Sequence, residues 1–256
     1  PGCFSAAPRA VVFRDLGRAF ERLRAEALAA GVEFRQGLEA RLLLLEQGRA
    51  AGALFRAADG SAQAVLARAV VLAAGGPAPL FARRMDGPGN TGLSYGLLDA
   101  AGARLENSGF LQFFWNDARS GRFVSPAAVL GPGSVLHGPD QDLRLDAGHP
   151  ALALVPSRAG HCPAGYGLDD AALDELLLAQ RGPDGTVRLT TALGQEFRLE
   201  CCAHAGNGGA VVDRHGQTSV AGLFACGECA TGMHGANRLG GGMVLASQVF
   251  GARAGA

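Results

Sequence analysis

Apolar residues recur at helical spacing near the start of the chain. Leu16, Phe20, Leu23, Ala27 and Leu28 share one stripe across residues 14–30, and Asp15 stands at its start, where a carboxylate suits the positive end of a helix. Gly31 ends the stripe, and residues 32–34 read as a short strand. The period then changes. Residues 40–46, 51–57 and 62–66 alternate in polarity, broken at Gln47-Gly48 and Asp59-Gly60, which is hairpin chemistry and predicts a small antiparallel meander. Residues 68–74 form a continuous apolar run ending in Gly75-Gly76-Pro77, the pattern of a buried strand whose carboxyl end meets a ligand. Residues 93–101 follow as a second helix.

Residues 114–199 differ in character: they are rich in Pro, Gly and Asp, with one clear helix at 169–180. Gly182-Pro183-Asp184-Gly185 marks a turn from that helix into a strand at 186–189. The densest pattern lies at residues 222–251. There a short apolar strand leads to Gly227-Glu228, a His-Gly-Ala-Asn-Arg run, three glycines and an apolar helix. Gly240, Gly241 and Gly242 carry no Cβ, so their amides can approach a ligand closely. A glycine-rich approach to a helix gathers unpaired N–H groups and the positive end of the dipole, which suits an anion or an electron-rich ring. Arg238 adds a forked cation matched to a carboxylate.

Composition narrows the function classes. The 256 residues are 48% hydrophobic and 18% charged, which describes an ordered globule. Net charge is zero, so electrostatics gives no case for nucleic acid or an anionic membrane. Every basic residue is Arg, a coding bias with no functional message. No apolar run is long enough to span a bilayer, and Pro1-Gly2-Cys3 begins no signal pattern. Cys226 and Cys229 form C-x-x-C, and Cys201-Cys202 lie near His204, so a zinc or redox module is a rival reading. The paired cysteines lack ligand spacing, and no metal site is expected. Six cysteines without a framework favour a reducing cytoplasm.

The segments Gly222-Leu223-Phe224-Ala225, Gly227-Glu228, His234-Gly235-Ala236-Asn237-Arg238-Leu239-Gly240 and Val249-Phe250-Gly251 stand in an order and spacing that resemble the succinate dehydrogenase/fumarate reductase flavoprotein family, which includes L-aspartate oxidase. The resemblance extends to Ala73-Ala74-Gly75-Gly76, Asn90-Thr91-Gly92 and Phe110-Leu111-Gln112-Phe113. It implies an α/β chain of the FAD-binding three-layer fold with an antiparallel meander and an inserted α+β capping domain. Residues 1–113 would be the first FAD-binding segment, 114–199 a shortened substrate-capping domain, and 200–256 the C-terminal FAD-binding segment. The expected activity is hydride transfer between a small carboxylate substrate and the flavin. Contacts to FAD are implied at Ala74, Gly75, Gly76, Glu228, Asn237, Gly241, Gly242, Met243 and Val244. Glu228 would accept hydrogen bonds from ribityl hydroxyls, and glycine amides near the flavin N1/O2 side would stabilise a reduced ring.

The substrate residues implied by the resemblance are His204, in a His-x-x-x-Gly-Gly spacing with Gly208-Gly209, and Arg238, as two carboxylate ligands. His234 would position the turn or lie along the flavin. The bland alternatives are a loop histidine bonded to backbone for His204, a structural ion pair for Arg238 and loop capping for Glu228. The family's catalytic acid is an Arg in Pro-Arg-Asp; here Pro156-Ser157-Arg158 is the nearest analogue, so Arg158 is the expected acid. Gln112-Phe113-Phe114-Trp115 places Phe114 where the family has a substrate-binding His, and Leu93 replaces an acidic residue. Losing a cation and gaining aromatic bulk implies a less polar substrate than succinate or aspartate.

The dinucleotide-binding fingerprint is missing. Letters of G-x-G-x-x-G at Gly87, Gly89 and Gly92 follow no strand and enclose Pro88. The resemblance therefore covers the later part of a family member. Either the amino-terminal unit has been cut away, or a second subunit supplies it, or the cofactor site is defunct. A non-catalytic flavin- or partner-binding subunit is the rival to the enzyme.

Overall fold

The computed structural model describes residues 14–87, 89–165 and 167–256. Asp15 caps helix α1 (Leu16–Ala29) by accepting from the Arg18 amide at 2.9 Å. The helix has no buried residue, and its stripe of Leu16, Phe20, Leu23 and Leu28 is exposed. Residues 32–34 are not a strand. Among the described residues no neighbouring strand pairs with them, and without a ladder an extended segment has no sheet.

The meander forms as its alternation requires. Strands β1 (Leu38–Glu46), β2 (Arg49–Ala57) and β3 (Ala62–Leu66) pair antiparallel in that order. Gln47 and Gly48, with φ of 49° and 75°, make the left-handed turn that a two-residue hairpin needs. The apolar run gives the short strand β4 (Val70–Leu72). Helix α2 (Ser94–Ala100) and strand β5 (Leu105–Glu106) follow.

A six-stranded antiparallel sheet comes next. Its strands are β6 (Leu111–Asp117), β7 (Arg122–Phe123), β8 (Ser134–His137), β9 (Asp142–Leu145), β10 (Val187–Thr190) and β11 (Glu196–Gly206), in the order β7-β6-β11-β10-β8-β9. Helices α3 (Pro126–Val129), α4 (Val155–Arg158) and α5 (Ala171–Ala179) lie between its strands in sequence. The closing part holds β12 (Gly209–Val211), β13 (Leu223–Ala225), β14 (Ala230–Thr231) and α6 (Gly242–Ala254). Strand β13 pairs parallel with β4 over Leu223 to Val70 and Ala225 to Leu72. Strand β12 joins β14 in parallel and β5 in antiparallel pairing.

Two apolar cores result. One gathers Leu43, Ala53, Leu72, Leu98, Leu223 and Ala225 from the meander, α2 and the parallel pair. The other gathers Trp115, Leu136, Leu173, Leu177, Leu189 and Leu199 from α5 and the six-stranded sheet. Positions 113/114 and 199/200 fall inside β6 and β11, and these two long strands carry the backbone from the second core to the region of residues 203–206. The site is built where they arrive.

Candidate functional site

Gly75, at a φ of 81°, turns the chain out of β4. Gly76 follows because Glu228 leaves no room: a Cβ on Gly76 would lie 2.0 Å from the Glu228 Oε1. That oxygen accepts the Gly206 amide at 2.7 Å, so the end of β11 is tied to the turn after β13. Burial pushes the Glu228 carboxyl above its ordinary pKa, against the opposing pull of the Gly206 amide and the Arg238 charge. Ser94 fixes the other side of this turn by donating to the Gly75 carbonyl at 2.7 Å.

His204 is displaced from its ladder by a bulge. The β6–β11 register shifts between Ala203 and Ala205, the irregularity that re-aims a side chain next to a site. The imidazole stacks on Phe114, with ring centroids 4.3 Å apart and planes 28° from parallel. Its Nδ1 lies 3.0 Å from the Met85 carbonyl oxygen, which can only accept, so Nδ1 carries the hydrogen. In the neutral ring Nε2 is then the lone-pair nitrogen. Burial first, and the Arg238 charge after it, hold the His204 pKa below its ordinary value, against the Met85 hydrogen bond.

Arg238 lies in the segment between β14 and α6. It is 8% exposed, and among the described residues no carboxylate lies within ion-pair distance of it. Its Nη1 donates to the Leu239 carbonyl at 3.1 Å, and its Nε is buried with no partner. Burial lowers its pKa, with Glu228 opposing. His234 beside it also has a buried nitrogen, Nε2, without a partner, and burial and the Arg238 charge lower its pKa. The Arg238 charge acts on His204 and His234, and the Glu228 charge on Arg238, so the four form one electrostatic group.

Gly241 adopts a φ of 77° and begins α6 with no side-chain cap; the Gly242 amide donates to the Leu239 carbonyl at 2.8 Å, which leaves the amides of Met243 and Val244 without a capping side chain. Gly242 approaches both Arg238 and His234, whose atoms stand 3.4 and 3.7 Å from where its Cβ would be. An apolar cleft of about 560 Å³ opens here, lined by Met233, His234, Leu239, Leu245, Val249 and Phe250. Asn237 is half-buried in the same segment and Ala74 half-buried before Gly75. A flat, largely apolar ring with polar edges fits this set: an apolar cleft, an uncapped helix start, and buried polar atoms left without partners. The residues present therefore fit the ring end of FAD.

Arg158 is placed elsewhere. It is fully buried in the second core, where its Nε is 3.0 Å from the Asp174 Oδ2. Its Nη1 donates to the His161 carbonyl at 2.8 Å, and its Nη2 reaches Asp174 at 3.2 Å. All its nitrogens are engaged within this core, so the expectation of a catalytic acid at Arg158 gives way to a structural ion pair. Burial also governs Cys201, Cys202 and Cys229. Cys229 donates to the Leu72 carbonyl at 3.1 Å, burial pushes its pKa up to about 11, and Cys201 and Cys202 are pushed up to about 12. The loop of Gly87, Gly89 and Gly92 contains no strand, and its Pro88 lies outside the described residues.

Two buried carboxamides were not foreseen as site residues. Gln112 and Asn207 are each 1% exposed and bond to the Arg238 segment. Their letters stood in view, in Gln112-Phe113 and between His204 and Gly208, but nothing in a sequence announces which backbone a carboxamide will grip.

Comparisons with known proteins give the family and the fold. The FAD binding domain family model matches residues 5–144 and 188–244. L-aspartate oxidase of Caulobacter vibrioides is 33% identical over 255 residues, covering 88% of this chain and 47% of that protein. With 45% of a second L-aspartate oxidase covered, from Halobacterium salinarum at 32% identity, the chain spans about half the length of the curated relatives it matches. Among solved structures, the open conformation of a flavocytochrome c3 fumarate reductase superposes with a TM-score of 0.69 at 16% identity, over 92% of this chain and 54% of that one. The Mycobacterium smegmatis Sdh1 complex in the apo form gives 0.63 at 26% identity, over 84% and 39%. The fold is that of these flavoproteins, and FAD is the cofactor of the matched domain. The chain belongs to the FAD binding domain family, on its succinate dehydrogenase/fumarate reductase flavoprotein branch.

Proposed function

We propose that this chain forms the ring-side and substrate-side part of an FAD-dependent oxidoreductase acting on a small carboxylate-bearing molecule, of the L-aspartate oxidase/fumarate reductase type. The observation that carries the reading is Arg238: a buried guanidinium with no carboxylate partner among the described residues, beside two histidines held neutral by burial. A buried cation with no carboxylate at ion-pair distance is costly, and a substrate that brings a negative charge would offset that cost.

FAD, when bound, supplies a two-electron hydride acceptor or donor at the isoalloxazine N5. The chain's own residues do the rest. Arg238 would clamp a substrate carboxylate. His204, with Nδ1–H fixed on Met85, would present Nε2 to the substrate, as an acceptor when neutral and a second donor when protonated. The Phe114 ring shields one face of that imidazole and excludes water from it. Gly75, Gly76, Glu228, Asn237 and the start of α6 would hold the ring and its chain. We place the capping domain at 114–199, completed by a nucleotide-gripping unit from the same or a second polypeptide. The proposed setting is the cytoplasm; among the described residues no helix is long and apolar enough to cross a membrane.

The test is Arg238→Ala in the complete flavin-loaded enzyme, assayed on aspartate, succinate and fumarate. The kcat/KM should collapse through a raised KM while the visible flavin spectrum persists, because a lost carboxylate clamp weakens substrate and transition state together. Undiminished kcat/KM removes Arg238 from the site. A complete chain that takes up no FAD favours the non-catalytic subunit instead.

A further inference from the structure

Arg238 lies in a segment without regular structure, yet a clamp must hold its fork in place. Two side chains from the adjoining strands supply the hold. Asn207, immediately after β11, donates its Nδ2 to the Ala236 carbonyl at 2.7 Å. Gln112, on β6, donates its Nε2 to the carbonyl of Arg238 itself at 3.1 Å. Both carboxamides are 1% exposed, so water competes poorly for either bond. They are set by the same sheet: Gln112 pairs with Ala205 across the β6–β11 ladder, and the Asn207 amide donates to the Phe110 carbonyl at 2.8 Å. The oxygen of each carboxamide, Gln112 Oε1 and Asn207 Oδ1, is buried without a donor. A buried carboxamide that satisfies only its N–H side is an expensive choice for mere packing, where Leu or Met would fill the space at less cost.

We propose that Gln112 and Asn207 are positioning residues that fix the Ala236–Arg238 backbone and thereby aim the Arg238 guanidinium, so that β6 and β11 transmit the geometry of the capping sheet to the carboxylate clamp. The inference rests on the carboxylate reading of Arg238, but the hold on the backbone can be measured apart from it.

The experiment uses the full chain and two variants that keep volume and remove the donor, Gln112→Met and Asn207→Leu. Asn116→Leu serves as a control on the same strand, since Asn116 bonds to Glu200 and Cys202 instead. Hydrogen exchange is followed by mass spectrometry over residues 232–241 and over the capping sheet, and malonate binding is titrated calorimetrically. Each site variant should speed exchange at 232–241 without changing it in the capping sheet, and should weaken malonate binding about tenfold, the loss of one net hydrogen bond. The control should do neither. Unchanged exchange at 232–241 in the variants overturns the proposal, whatever malonate does. Faster exchange with unaltered malonate affinity overturns it too, because the backbone would then be held without aiming the cation. Absence of malonate binding by the unmutated chain defeats the carboxylate reading alone, and exchange still decides the clamp.

Discussion

Phe114 and His204 stack face to face across the β6–β11 ladder, 4.3 Å between centroids, just where a bulge throws His204 out of register. The stack covers one face of the imidazole and adds to the burial that lowers its pKa. Phe114→Ala should therefore let the His204 pKa climb back toward its ordinary 6.5, read from the imidazole proton shifts in an NMR titration. A midpoint that stays put would mean that the stack contributes nothing to the desolvation.

The same shift couples substrate to protons. In the free site His204 is neutral above its lowered pKa, and only Nδ1 carries a hydrogen. A carboxylate placed against Nε2 favours the doubly protonated ring, so binding should take up a proton. Affinity for malonate should strengthen as pH falls toward the depressed pKa and fade as pH rises above 6.5, approaching tenfold per pH unit where uptake is complete. Calorimetry in buffers of different ionisation enthalpy measures the uptake directly. Zero uptake across that window assigns His204 an acceptor role toward a substrate N–H or O–H.

Glu228 carries the opposite sign. Its native pKa is raised by burial, so its contribution to stability is present below the ordinary 4.5 and is lost as pH rises through the raised value. Glu228→Gln keeps an oxygen for the Gly206 amide and removes the buried charge. It should raise the thermal midpoint of the flavin-free chain at neutral pH, with the gain shrinking to nothing near pH 4. A gain of equal size at every pH would point to packing instead of charge.

What the sequence revealed follows from how local each signal is. The meander was legible because Gln47-Gly48 and Asp59-Gly60 fix hairpins within a few residues, and helix α1 because Asp15 and its stripe need nothing beyond themselves. Arg238 and His204 were named through the resemblance alone, and the Arg238 charge acts on His204 in the structure. Arg158 was misread because its partner Asp174 is sixteen positions away on another helix, and only the packed core shows that the pair is internal. The strand expected at 32–34 failed for a related reason: apolar residues make a strand only when a neighbour completes the ladder. Gln112 and Asn207 reach 126 and 29 positions along the chain, distances over which spacing carries no message.

The core of the six-stranded sheet supplies the last prediction. Asp174 accepts the Trp115 indole N–H at 2.7 Å and pairs with the fully buried Arg158. Asp174→Ala would strand a cation and an indole N–H together in an apolar core, a change expected to cost about 3–5 kcal/mol. The double variant Arg158→Met, Asp174→Leu removes the cation along with its partner and should recover most of that loss, since well-packed apolar replacements of buried ion pairs are often neutral. Trp115 is the sole tryptophan, so its fluorescence in urea reports this core directly. If the double variant proves as unstable as Asp174→Ala, the cost lies in the orphaned indole and the cavity, and the charge of Arg158 is not what Asp174 is there to balance.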